Sequence, residues 1–334
     1  MKTYSATVSN QPAQQMACMD VWSGSYFTQR GVEFGGLDAW LYSKPYAQAR
    51  RGGDVFYASS CATGRITRML LADVAGHGTA VAASAADLRL LMRRFVNHLD
   101  QTEFVRLINR HFAKLTQQNA YATAVITTYF EPTRILTVCN AGHPRPLIYR
   151  AAQGQWDVLF NLESQRTAGP RNLPLGVLGI SDYDQFDIEL QLGDYVVTYT
   201  DALIEAQDAD GKVLGEQGLL RILRAMGGVE APQLIPTLLD EIEDRYPENL
   251  SRDDVTMVVL RVNQRKPHYS LKEKVWAFLR GAVAPFRAER PPLPDFVLPN
   301  VGGPMIPAFE RRWHGATGTR LDERSQAKTA GQNL

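Results

Sequence analysis

The stretch ATAVITTYF-EPT-RILTVC, residues 122–139, decides the fold class. Its two ends are rich in β-branched and aromatic side chains, and Glu131-Pro132-Thr133 between them is a turn signal, so it reads as two strands joined by a turn. Further strand-like runs follow at Pro146 to Arg150, Trp156 to Asn161, Phe186 to Leu190 and Tyr195 to Thr200, divided by turns such as Asn140-Ala141-Gly142-His143-Pro144 and Leu192-Gly193-Asp194. Upstream the hydrophobic period is 3.6, not 2. Thr79 to Asn97 places Val81, Ala85, Leu88, Leu91, Met92 and Phe95 on one stripe, and Glu103 to Gln118 does the same with Phe104, Leu107, Ile108, Phe112 and Leu115. Two helices followed by strands in succession predict an α+β domain with antiparallel sheet.

Working outward, Gly52-Gly53-Asp54-Val55-Phe56-Tyr57 opens an apolar strand, Cys61 to Arg65 turns, and Ile66 to Ala72 forms a second strand. In this hairpin Asp54 stands near the start of one strand and Asp73 just past the end of the other, so antiparallel pairing brings both acids to the same end. Asp73-Val74-Ala75-Gly76-His77-Gly78 then reads as a tight turn before the first helix, a place where reactive groups are displayed. Two more helices, about Gln217 to Met226 and Ala231 to Tyr246, precede a last strand, Val255 to Val262. The expected organisation is an N-terminal extension over 1–49 packed on the domain, a main domain over 50–264 and a tail over 265–334.

The 334 residues carry a formal net charge of +1, which excludes a polyanion binder, and no nucleic-acid partner is expected. The average hides an asymmetry: residues 265–334 hold twelve Lys or Arg against six Asp or Glu, leaving 24 against 29 in the rest. Eight of the 18 prolines also lie beyond residue 264, so most of the tail is a poor candidate for packed structure. Leu271 to Val283 differs. Val275, Trp276, Leu279 and Val283 beside Lys272, Lys274 and Arg280 fit an amphipathic helix that docks on the domain, on a partner or on an anionic membrane surface. The cysteines Cys18, Cys61 and Cys139 lack metal-site or redox spacing and read as reduced, structural thiols. The N-terminus lacks the apolar core of a signal peptide and no run approaches about 20 apolar residues, so a cytoplasmic location is expected.

Chemistry must come from acids. Asp54, Asp73, Asp201 and Asp253 all stand at strand-turn junctions. Carboxylates about 4 Å apart repel by roughly 4 kcal/mol per pair at an effective dielectric of 20, so a gathered cluster needs cations. Oxygen-only ligands favour hard divalent ions, and a pair of them can activate a water for in-line displacement at phosphorus. Cys61 and Cys139 have no adjacent Arg-rich phosphate loop, and no GxSxG elbow is present.

Gly52-Gly53-Asp54, DVAGHG (73–78), NAGHPRP (140–146), Leu192-Gly193-Asp194, TDALIEA (200–206) and Asp253-Asp254-Val255-Thr256 occur in an order and spacing that resemble the metal-dependent PPM protein phosphatases, more narrowly their SpoIIE-like bacterial branch. The resemblance implies an αββα sandwich of two antiparallel sheets with a two-metal centre, manganese or magnesium, at one end. It implies that Asp73 bridges both ions with help from the Val74 carbonyl, that Asp54 holds one, and that Asp201 and Asp253 hold the other. Asp254 falls behind this ligand set as a supporting acid, its side chain pointing the opposite way once the strand has begun. The implied activity is hydrolysis of phosphoserine or phosphothreonine on a partner protein in bacterial signalling such as sigma-factor regulation, with a STAS-type anti-sigma antagonist as the target class.

Two departures stand out. The family's glycine after the third acid is Ala202, whose methyl disfavours a positive φ, and its serine after Asp73-Val74 is Ala75. Ala202 and the added tail motivate an alternative reading as a catalytically weak or silent PPM-fold protein acting as a regulatory binding module. His77 is a candidate proton-transfer group or a turn residue, Arg51 a candidate phosphate contact or part of a solvated face, and His143 a packing residue. A homodimer is also compatible with the sequence.

Overall fold

In the computed structural model of the chain, the described residues are 14–15, 21–61, 64–76, 79–98, 100–116, 120–160, 170–246 and 248–265. In chain order the strands are β1 (Gln14–Gln15), β2 (Val21–Gly24), β3 (Thr28–Phe34), β4 (Leu37–Lys44), β5 (Asp54–Ser60), β6 (Ile66–Val74), β7 (Ala122–Phe130), β8 (Ile135–Ala141), β9 (Leu147–Arg150), β10 (Gln155–Val158), β11 (Gln185–Glu189), β12 (Tyr195–Tyr199) and β13 (Val255–Val262). The helices are α1 (Thr79–Phe95), α2 (Gln101–Leu115), α3 (Ala202–Glu205), α4 (Gly215–Met226) and α5 (Ala231–Glu243).

Among the described residues the strands form a seven-stranded sheet, β1-β3-β4-β13-β12-β9-β10, and a six-stranded sheet, β11-β8-β7-β6-β5-β2. Pairing is antiparallel except where β1 runs beside β3. Alternation along the strands sorts side chains into three apolar layers. Val196, Val258, Leu71, Val125 and Val138 fill the space between the sheets. Their chain neighbours face the other way: Leu70 and Ile126 pack with Leu88, Met92, Phe104 and Ile108 of α1 and α2. Val197, Met257 and Val259 pack with Leu219, Leu223, Leu234 and Leu238 of α4 and α5. Central strands buried on both faces explain why β5 and β13 read as almost unbroken apolar runs. The result is the αββα sandwich.

The stretch expected as an N-terminal extension supplies strands to both sheets. β2 pairs with β5, and β4 pairs with β13 from Lys44↔Val255 to Leu37↔Val262. Asp73, expected just beyond a strand, lies inside β6, because pairing with β7 continues through Asp73↔Thr123 and Val74↔Ala122. α2 starts at Gln101, where the Asp100 carboxylate caps it by accepting the Thr102 and Glu103 N–H groups at 2.9 and 3.2 Å. Cys139 is a buried free thiol, and the Cys61 sulfur accepts the Ile66 N–H at 3.2 Å. Cys18, the tail from residue 266 and its expected helix over 271–283 lie outside the described residues. Among the described residues no helix is long and apolar enough to cross a membrane.

Arg68 ties the helical layer to the sheet that carries Asp73. It is buried on β6, where its Nε donates to Thr128 Oγ1 at 3.1 Å and one terminal nitrogen donates to the carbonyls of Val96 and His98 at 3.0 and 2.7 Å, just beyond α1. Its guanidinium lies 4.6 Å from the Phe104 ring centre, and burial pulls its pKa down to about 10. Arg68→Met keeps the stem but strips two carbonyls and a hydroxyl of their donor. It should cost about 2–4 kcal/mol of stability, read as a lower urea midpoint; an unchanged midpoint would show that the tie carries no load.

Candidate metal centre

The centre begins with a register. β5 and β6 are neighbours, and Asp54 pairs directly with Asp73. Asp54 is 3% exposed, and its Oδ2 accepts a hydrogen bond from Thr200 Oγ1 at 3.0 Å. Thr200 belongs to the other sheet's end, immediately after β12, and its hydroxyl oxygen accepts the Thr256 N–H of β13 at 3.0 Å. The Asp54 carboxylate therefore joins the two sheets through one threonine.

The second half is delivered by β12 and β13. Their register, Tyr199↔Met257, sets Asp201 and Asp253 at the same end of the sheet. Asp201 is half-buried, and its carbonyl accepts the N–H groups of Ile204 and Glu205 at 2.8 Å, turning the chain into α3. Asp253 is exposed and accepts the Asp254 N–H at 2.7 Å. Asp254 is buried and points away, toward the segment that leads into Asp54. Its Oδ1 accepts the Tyr46 N–H at 2.5 Å, and its Oδ2 accepts the N–H groups of Gly53 and Asp54.

These acids act on one another. Burial, then the Asp73 charge, holds the Asp54 carboxyl well above the usual range, opposed by hydrogen bonds from Thr256 and Thr200. Asp73 is pushed up to about 7 by burial and by the charges of Asp201, Asp253, Asp254 and Glu205. Asp201 is pushed up to about 6 by burial, then by Glu205 and Asp253. Fields of this sign are what a divalent cation relieves, and the donors are hard oxygens. Among the described residues, however, no three His, Cys, Asp or Glu side chains form a ready-made ligand cage. The donor chemistry, carboxylate and carbonyl oxygens, fits a hard ion.

Val74 is buried on β6, with its N–H donating to the Gly53 carbonyl at 3.3 Å. A Cβ on Gly53 would come within 2.9 Å of the Val74 carbonyl oxygen, so that close approach requires glycine. Arg51 is exposed next to Gly52. His77 lies outside the described residues. His143 packs behind Asp73: its ring Nδ1 is 2.8 Å from the hydroxyl of Thr123, the β7 partner of Asp73, and burial lowers its pKa to about 3. Ala202 begins α3 without a positive φ, so the added methyl meets no backbone strain. Reading the sequence missed Thr200, Thr256 and Glu205. Only Glu205 left a signal, four residues after Asp201 on one helical face.

Two face-to-face antiparallel sheets between helices define the PP2C class of phosphatase folds. Residues 63–263 match the family described as Stage II sporulation protein E (SpoIIE), and the chain belongs to that family. Asp73, Asp201 and Asp253 fall within the matched segment and Asp54 precedes it. The chain is 24% identical over 196 residues to phosphoserine phosphatase RsbU of Bacillus subtilis, a match covering 57% of this chain and 54% of RsbU, so it spans about half of that relative. The RsbU and RsbW domains of Rv1364c from Mycobacterium tuberculosis superpose with a TM-score of 0.59 at 22% identity, covering 78% of this chain and 71% of that one. The PP2C phosphatase domain of Bacillus subtilis SpoIIE, with a fragment of its regulatory domain, gives 0.55 at 16% identity over 74% and 64%. RsbX in complex with magnesium gives 0.51 at 15% identity over 71% and 100%. These structural likenesses establish the fold.

The raised carboxylates carry a pH signature. Unfolded, Asp73 and Asp201 titrate near pH 4; folded without metal, they titrate near 7 and 6. The folded chain therefore binds more protons in that window, a contribution complete below about pH 4 and lost as pH rises through 6 and 7. In EDTA the urea midpoint should fall between pH 5 and pH 8, and manganese added at pH 8 should raise it. A midpoint that climbs across this range in EDTA would count against the coupled acids.

Proposed function

We propose that the chain hydrolyses phosphoserine or phosphothreonine on a partner protein, using two divalent ions, manganese or magnesium. The observation that carries this reading is the pair of buried Asp54 and half-buried Asp73, neighbours in register, on which the strongest influences are burial, other acids and threonines. Membership of the SpoIIE family and likeness to the phosphoserine phosphatase RsbU support it, as does magnesium in RsbX. Asp73, with the Val74 carbonyl assisting, would hold both ions, Asp54 would hold one, and Asp201 and Asp253 the other.

When bound, such ions neutralise the carboxylates and activate a water for in-line displacement of the serine or threonine oxygen from phosphorus. The chain's own contributions are positional and electrostatic. Thr200, fixed by the Thr256 N–H, orients Asp54. Arg51, exposed beside the acidic end, offers a guanidinium fork to phosphoryl oxygens. His77, four residues after Asp73, is the candidate donor of a proton to the leaving oxygen. The substrate class we propose is a STAS-type anti-sigma antagonist. The alternative, a catalytically weak or silent binding module, draws no support from Ala202, which carries no positive φ.

Turnover of p-nitrophenyl phosphate with manganese tests the chemistry. Asp73→Asn should lower the rate on the order of 10³-fold, the several kcal/mol that metal-assisted charge stabilisation supplies. Equal turnover by wild type and variant would overturn the reading.

A further inference from the structure

Asp254 is the buried member of the Asp253-Asp254 pair, at 8% exposure, and among the described residues it forms no salt bridge. Its charge is met by main chain. Oδ1 accepts the Tyr46 N–H at 2.5 Å, and Oδ2 accepts the Gly53 N–H and, at 3.2 Å, the Asp54 N–H. These three donors are spread along the segment that runs from β4 to β5. That segment lacks regular pairing: it holds a 3₁₀ turn at Tyr46–Gln48, a left-handed Ala47 with φ 49°, and then Gly52 and Gly53. A carboxylate accepting several backbone N–H groups is among the stronger ways to fix such a segment.

The glycines complete the arrangement. A Cβ on Gly52 would lie 2.3, 2.5 and 2.5 Å from the three carboxyl atoms of Asp254. Gly52 needs no left-handed backbone, so what excludes a side chain there is the volume of the carboxylate itself. The anchor and the glycine occupy one space, 202 residues apart in sequence.

We infer that Asp254 is a positioning residue for the metal centre: by clamping Tyr46, Gly53 and Asp54 main chain, it sets the Asp54 carboxylate against Asp73. The inference rests on the proposed metal reading and adds to it a residue outside the ligand set, with Gly52 as its steric counterpart. Removing a partner of this kind lowers metal affinity about 10- to 100-fold in other metal sites.

The experiment is titration calorimetry of the full chain with manganese at 25 °C, alongside urea unfolding of each variant. Asp254→Ala and Asp254→Asn should each raise the manganese Kd about 10- to 100-fold while the protein remains folded. Asn keeps the shape but sets an amide N–H against backbone donors. Gly52→Ala should reproduce the loss, since its methyl displaces the carboxylate. In the Asp254→Ala background the same methyl enters vacated space, so the double variant should bind manganese no more weakly than Asp254→Ala alone. If Asp254→Ala does not fold, the comparison of Asp254→Asn and Gly52→Ala with wild type decides. Wild-type affinity in folded Asp254→Asn and Gly52→Ala, or strictly additive losses in the double variant, would overturn the inference. A wild-type chain that binds no manganese would instead overturn the metal centre, and the anchor with it.

Discussion

Asp54 and Asp73 are register partners on adjacent strands, at one end of the six-stranded sheet. Burial and then the Asp73 charge raise the pKa of Asp54, while burial and then the charges of Asp201, Asp253, Asp254 and Glu205 raise that of Asp73, so the ionised forms are destabilised. A fold tolerates such a pair only where surrounding structure over-determines it. Here three apolar layers hold the strands, and hydroxyls from the opposite sheet reach the most buried acid.

The sandwich brings together chain ends that no local interaction would join. Thr200 and Thr256 close one side of the Asp54 carboxylate, and Asp254 fixes the main chain on the other. Asp54 is thus oriented through both its side chain and its backbone, whereas Asp201 and Asp253 stand at more open positions. That division leaves the acidic end with one rigid side and one accessible side. Arg68 performs a related task a few residues along β6, where it joins the strand to the end of α1.

Much of this was legible in the residues. The 3.6-residue stripes of α1 and α2 and the β-branched runs of β7 and β13 announce themselves because each is stabilised largely by a single periodic face. The strands before residue 45 were harder to read. β4 is defined by pairing with β13, more than 200 residues away, and β6 extends through Asp73 only because β7 offers partners there. Local composition does not encode where a ladder stops when its partner is distant.

The sequence alone determined the alternation of elements, the four acids at strand ends and the ordered motifs shared with the SpoIIE branch, since all of these are written in short-range pattern and residue identity. Tertiary structure decided the rest: that Asp54 is tied to Thr200, that the Asp254 side chain, turned from Asp253 as strand alternation expects, grips the Tyr46 and Gly53 main chain, and that Gly52 is small because a carboxylate fills its space. The physical reason is common to all three. A hydrogen bond or a steric exclusion between groups some 150 to 200 residues apart depends on the register of two sheets, which exists only once the chain has folded.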